Sequence, residues 1–320
     1  MMMEGKNRMS DEHGLGIYPS ILLVLALPRG QRSPGTRWDH EVNGVKYTYF
    51  SKEGIPSTAR DRDMIEILST WARKINNPYV EIGSVTSTLL TYGIAPTGMN
   101  IGTVSKSIRR FSGLMMHSEQ TQTMKKGSNY MGRYVEENMV VADKLQLTWG
   151  HGRLSHDYQP DLLGLSFFLF SIPFFSKHIK TMTVPHKQAD YISMRSPFEK
   201  DMYLWLSRKL YTLDKQKRDS EEIDWRCLFA QFFHSPVLSG NTLKLAKRQI
   251  SNTLAKIKDR YCPYVSYETT KTGIVLRKTR LIIGPDDKGA GFAPGADEDE
   301  GYEPLKVSWG ADGKHKIIEP

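Results

Sequence analysis

The stretch from Gly240 to Lys278 leaves the least freedom in how this chain can fold. Leu243, Ala246, Ile250, Leu254, Ile257 and Tyr261 recur at three- and four-residue spacing, so the pattern predicts one amphipathic helix over about residues 242–261. Lys244, Lys247, Arg248, Lys256, Lys258 and Arg260 lie between them, against the single acid Asp259. Pro263 ends the helix. A strand from Tyr264 to Tyr267, a turn at Thr270–Gly273 and a return strand from Ile274 to Leu276 then read as a tight hairpin. A cationic helix backed by a hairpin carrying Lys271, Arg277, Lys278 and Arg280 suits a DNA groove and its flanking phosphates. The plainer reading is a solvated helix beside an ordinary hairpin, so the rest of the chain has to decide.

Charge supports the first reading. The 320 residues carry a net charge of +9, unevenly spread. After Pro285, nine acids face four lysines, which makes that tail −5 and leaves +14 on residues 1–284. A basic body with an acidic tail is the asymmetry of a nucleic-acid binder. Residues 1–16 and 285–320 lack apolar periodicity and are expected to be disordered. The two cysteines, Cys227 and Cys262, have no Cys or His at ligand spacing, so neither zinc nor a disulfide framework is expected, and a reducing cytosol is the default. The apolar runs Ile21–Leu27 and Leu162–Phe175 are too short or too interrupted to span a bilayer and read as buried strands. No membrane association is expected.

In order along the chain, residues 17–50 read as β, with Val45, Tyr47 and Tyr49 alternating with Lys46 and Thr48. A helix over Ala59–Asn76 follows, capped by Thr58, with Met64, Leu68, Trp71 and Ile75 as its buried stripe. A short extended piece leads to a helix capped by Ser84 and ending at Gly93. After a turn at Pro96–Gly98 comes a third helix from about Gly102 to Met116, with Lys106, Ser107, Arg109 and Arg110 on or beside its outer face. Lys125, Lys126 and Gly127 mark a hairpin tip, and Asn138–Trp149 reads as the return strand.

The same plan then recurs. Ser196, Pro197 and Glu199 open a helix to Leu213 as a capping box; Asp214–Glu222 reads as a loop; Asp224 caps a helix bearing Trp225, Leu228, Phe229 and Phe232; and the 240–278 stretch follows. The expectation is therefore α+β: two tandem winged-helix domains, at 17–180 and 181–284, then a flexible acidic tail.

Catalytic signatures are missing. There is no G-x-x-x-x-G-K-[ST] phosphate loop, no His-hydrophobe-His pair for a nickase, no G-x-S-x-G elbow and no H-E-x-x-H. His151 and His156 read as surface residues, and the Phe167–Phe175 aromatics as core. No catalytic residue, metal or cofactor is expected.

Several pieces, in order, resemble the plasmid replication initiators of the RepA type. They are Leu25–Pro28; Gly54, Ile55, Pro56 before Ile65–Trp71; Pro96, Thr97, Gly98 with Gly102; and Asn138–Trp149. Further on stand Thr183, Val184, Pro185, then Ser196, Pro197 with Asp201–Leu213, and finally Ile223, Asp224, Trp225, Leu228, Gln231, Phe232. Asp224 stands where the family has Ser, which keeps a helix cap, and Met99 stands where it has a second Gly. The acidic extension is not part of the pattern. The resemblance covers roughly residues 20–284. It implies two winged-helix domains that bind iterons in double-stranded origin DNA, melt an AT-rich segment and recruit a host replication initiator and helicase. Copy control through a homodimer, in a bacterial cytoplasm, is implied as well.

On this reading Lys244, Lys247, Arg248, Ser251 and Asn252 face a major groove, and Lys271, Arg277 and Lys278 hold phosphates from the wing. Lys106, Arg109, Arg110, Lys125 and Lys126 serve a neighbouring groove or a protein interface. The alternatives are a winged-helix transcriptional regulator and, from another class, a nicking endonuclease for rolling-circle replication.

Overall fold

The computed structural model describes residues 14–24, 27–29, 35–42, 45–83, 85, 95, 97–126, 129–147, 166–234, 238–279, 307–309 and 315–317. Strand β1 (Leu15–Pro19), helix α1 (Ser20–Val24) and the hairpin β2 (Arg37–Val42) and β3 (Val45–Phe50) come first. A first unit follows: α2 (Ala59–Lys74), β4 (Tyr79–Gly83), α3 (Gly98–Ser112), β5 (Met115–Lys126), β6 (Asn129–Val140), β7 (Ala142–Gln146) and β8 (Ser166–Phe170). A connector runs through α4 (Ile172–Phe174), a π turn at Phe175–Ile179, β9 (Thr183–Lys187) and α5 (Gln188–Ser193). The second unit is α6 (Pro197–Lys215), β10 (Ser220–Asp224), α7 (Trp225–Phe233), α8 (Gly240–Arg260), β11 (Tyr267–Thr269) and β12 (Gly273–Arg277). β13 (Val307–Trp309) and β14 (His315–Ile317) pair antiparallel.

The two units share a sheet order. In β10-β12-β11 and in β4-β8-β7 the last strand of the unit lies between the other two. In the second unit a Cβ on Gly273 would collide with the Ile223 carbonyl, so only glycine lets β12 lie this close to β10. Of the helix expected over 84–93 only Val85, helical and buried, falls among the described residues.

The shared plan extends to individual side chains. Thr58 caps α2 in a full capping box with Asp61, and Ser196 accepts from the Glu199 N–H at the start of α6. The acid three residues past each cap also takes a cation from the last helix of its own unit: Arg110 on α3 lies 3.3 Å from Asp61, and Lys256 on α8 lies 2.5 Å from Glu199. Glu199 is thus not the second half of a capping box; its carboxylate orients α8.

The residues four and five past each cap join the two units. Arg62 on α2 pairs with Asp201 on α6 at 2.6 Å, and Lys200 on α6 pairs with Asp63 on α2 at 2.7 Å. Such reciprocity is what a two-fold arrangement produces. Arg29 adds a second guanidinium to Asp201 at 2.9 Å. One apolar core runs through both units, from Ile65 and Phe111 to Trp205 and Ile250. β1 pairs with β9 in register from Leu15↔Lys187 to Pro19↔Thr183, so the N-terminal strand spans the boundary expected at 180.

The structure corrects several expectations. Residues 20–24 form a helix rather than part of a buried strand: β1 stops at Pro19, which has no N–H, and a short apolar run suits either element. α2 is buried on nearly every side from Asp61 to Thr70, whereas Ile75, assigned to its stripe, is 56% exposed at the C-cap. α3 starts at Gly98, because Thr97 accepts a bond from the Asn100 N–H and is its cap rather than a turn residue. Met115 is accordingly in β5, not on the helix. The charged segment expected as a loop contains β10, held by β12. β5 and β6, with the expected tip at Lys125 and Lys126, are not the third sheet element of the first unit: they extend a separate sheet, β2-β3-β5-β6. β7 and β8 take that place, so Asn138–Gln146 is divided between two sheets. Within the tail expected to be disordered, β13 and β14 pair antiparallel from Val307↔Ile317 to Trp309↔His315.

Candidate nucleic-acid interface

α8 buries Ala246, Ile250, Leu254 and Ile257 against α6 and α7 and leaves the opposite face in solvent. Asn241, Lys244, Leu245, Arg248 and Asn252 are exposed there. Asn241, Leu245, Arg248 and Asn252 step by four, three and four residues, which stacks them in one line over the N-terminal half of the helix. Among the described residues, Lys244, Arg248 and Asn252 make no hydrogen bond or ion pair, so their donors are available to a ligand. Lys247 sits beside this line with its ammonium 4.9 Å from the centre of the Trp225 ring, and Ser251 is half-buried. Lys256 is committed to Glu199.

The hairpin is fixed to the start of α7. The Trp225 N–H donates to the Thr272 carbonyl at 3.0 Å and its indole N–H to the Thr270 carbonyl at 3.3 Å, and the Thr272 hydroxyl donates to Glu222 at 2.6 Å. Asp224 accepts from the Arg226 N–H at 2.6 Å and caps α7. Lys258, 5.9 Å from the Tyr267 ring, ties the end of α8 to β11. Helix and hairpin thus present one surface. Lys271 is exposed at the turn. Arg277 faces Glu268 at 3.4 Å and Lys278 faces Asp214 at 3.0 Å, both in solvent-exposed pairs that an incoming phosphate can compete with.

On α3 the expected residues separate. Lys106 is exposed on the outer face, beside Gly102 and Thr103. Ser107 is buried, which takes it off that face. Arg109 is half-buried, and Arg110 turns inward to Asp61 and the Glu53 carbonyl. Lys125 and Lys126 lie at the far end of β5, in the other sheet and away from α3. The structure therefore brings together the second-unit residues and disperses those of the first. Leu245 and Asn241 share the α8 face and were not in the expected set. Their helical phase with Arg248 is the sequence signal that identifies them.

Burial pushes the Cys262 thiol up to about 12 and raises Cys227 as well, so neither is an activated nucleophile. Among the described residues no cluster of His, Cys, Asp or Glu could hold a metal ion, and no helix is long and apolar enough to cross a membrane. His151 and His156 lie outside the described residues.

Two crystal structures of domains 2 and 3 of RctB are similar in chain trace. One has 9% identity and a TM-score of 0.48, covering 82% of this chain and 98% of the other. The second has 12% identity and a TM-score of 0.45, covering 80% and 96%. At these scores neither bears on function. No protein-family model and no curated protein matches the chain.

Proposed function

We propose that this protein is a non-enzymatic replication initiator of the RepA type that binds repeated sequences in plasmid origin DNA through two winged-helix units. The observation that carries the reading is the α8 face: Lys244, Arg248 and Asn252 aligned, exposed and without partners among the described residues, beside a hairpin held by Trp225. Surface cations on stable proteins are commonly offset by nearby acids; here Glu199 faces Lys256, Glu221 faces Lys209, and Glu268 and Asp214 face Arg277 and Lys278, so Lys244 and Arg248 are cations of α8 that no acid among the described residues offsets. A cationic helix of about 30 Å, with donors that fit base edges, suits a major groove. The RepA-type motifs around Trp225 fall on the elements that build this face, which supports initiation over simple repression. Opening of an AT-rich segment and recruitment of a host initiator and helicase follow from the same resemblance, as does a homodimer in copy control.

A plasmid carrying only this gene and its flanking repeats, introduced into a bacterial host, tests the proposal. Autonomous replication that is lost on Arg248→Ala is the expected result. Repression of a reporter without replication would instead identify a transcriptional regulator. Mg²⁺-dependent relaxation of supercoiled origin DNA, with a covalent tyrosyl adduct, would identify a nickase.

A further inference from the structure

Leu245 is 64% exposed, yet it sits in the middle of the polar face of α8. A single exposed leucine needs no explanation on most surfaces. This one is flanked by Lys244 and Arg248 and is in phase with Asn241 and Asn252, on a helix face where Lys244, Arg248 and Asn252 have no partner among the described residues. The apolar side chains that α8 needs for packing, Ala246, Ile250, Leu254 and Ile257, are all on the opposite side, so Leu245 serves no core. In the major groove only one group rewards an aliphatic side chain, the 5-methyl of thymine.

We infer that Leu245 is a specificity-determining residue that packs on the 5-methyl group of a thymine in the target duplex, beside the base pair read by Arg248. The inference rests on the DNA-reading role of α8 proposed above and adds to it part of the sequence that is read. Three residues of helix separate Leu245 from Arg248, about 4.5 Å of rise, close to the ~3.4 Å step between stacked bases. The thymine therefore falls within one or two base pairs of the base that Arg248 contacts. A bidentate arginine selects guanine, so the half-site read by α8 contains a G with a T close to it.

The test uses the full chain and needs no destabilised variant. A preferred duplex is selected from a randomised library, and each thymine in it is then replaced singly by deoxyuridine, which removes the methyl and keeps base pairing. Fluorescence anisotropy gives Kd for each duplex. The expected result is a loss of about fourfold at one thymine, the worth of one buried methyl. Leu245→Ala should bind the thymine and deoxyuridine duplexes equally, while keeping its salt dependence. If the wild-type chain binds every deoxyuridine duplex as tightly as the parent, with affinity that still falls with salt, the inference is overturned and the DNA-reading role stands. If no duplex shows salt-dependent affinity, the DNA-reading role fails and takes the inference with it.

Discussion

Asp201 accepts two arginines that come from distant parts of the sequence, Arg29 and Arg62. Arg62 is fully buried and Asp201 nearly so, which makes this a pair whose loss leaves charge stranded. Asp201→Asn keeps the shape and removes the charge; unfolding in urea should show a loss of about 3–5 kcal/mol, and a loss under 1 kcal/mol would contradict the pairing. Three histidines predict the response to acid. Burial holds His40 and His178 down to about 4 and His234 to about 3, helped at His40 and His234 by the nearby Arg29. Unfolded, each titrates near 6.5. Between pH 6.5 and about 4 the unfolded chain binds more protons, so stability falls as pH drops through that window. Asp63, which burial pushes up to about 6 from 3.8, Asp190, which burial also raises, and His117, raised by its bonds to Glu119 and Asn138, act in the opposite sense over their own ranges, but the three buried imidazoles together carry the larger shifts. The urea midpoint should be lower at pH 5 than at pH 7; an equal or higher midpoint would contradict the buried neutral histidines.

At the scale of elements, caps and stripes were legible and partnerships were not. Thr58, Ser196 and Asp224 cap the helices that their positions announce, because an N-cap is a local bond between a side chain and the next turn. Thr58→Ala should therefore cost about 1 kcal/mol in thermal or urea unfolding, and no change would show the capping box to be dispensable. α8 and the turn and return strand of its hairpin were readable for the same reason, an uninterrupted stripe, a proline stop and a tight turn all being short-range signals, whereas the first strand is Tyr267–Thr269 rather than the expected Tyr264–Tyr267. α2 was not readable in this way. A single stripe of Met64, Leu68, Trp71 and Ile75 was expected to be its buried side, yet Arg62 and Asp63 meet Asp201 and Lys200 from the far half of the chain, and Arg110 is spent on Asp61. The β5–β6 hairpin misled in a similar way. Its strands satisfy the local pattern of a wing, while strand pairing with β3, a non-local choice, assigns it to another sheet. On the interface itself, Arg248→Ala should leave stability unchanged, since the side chain is exposed, and should lose about 1–3 kcal/mol of discrimination between specific and scrambled duplexes. A uniform loss on both duplexes would place Arg248 on a phosphate instead.

For the whole molecule, the reciprocal contacts between α2 and α6 set one unit against the other, and the outer face of α8 presents Lys244 and Arg248 without an ion-pair partner among the described residues. The +14 body is therefore not evenly available to a ligand. Arg110 and Lys256 are committed inside, Arg277 and Lys278 have exposed partners, and Lys244, Lys247, Arg248 and Lys271 are presented together. DNA binding through this surface is the central claim, and it is tested most directly by measuring duplex affinity against salt concentration by fluorescence anisotropy with the full chain. Neutralisation of about four phosphates by the second unit gives a log–log slope of about −3.6, and engagement of both units, at about eight phosphates, gives about −7. A slope in that range is the predicted result; a slope near zero would contradict it.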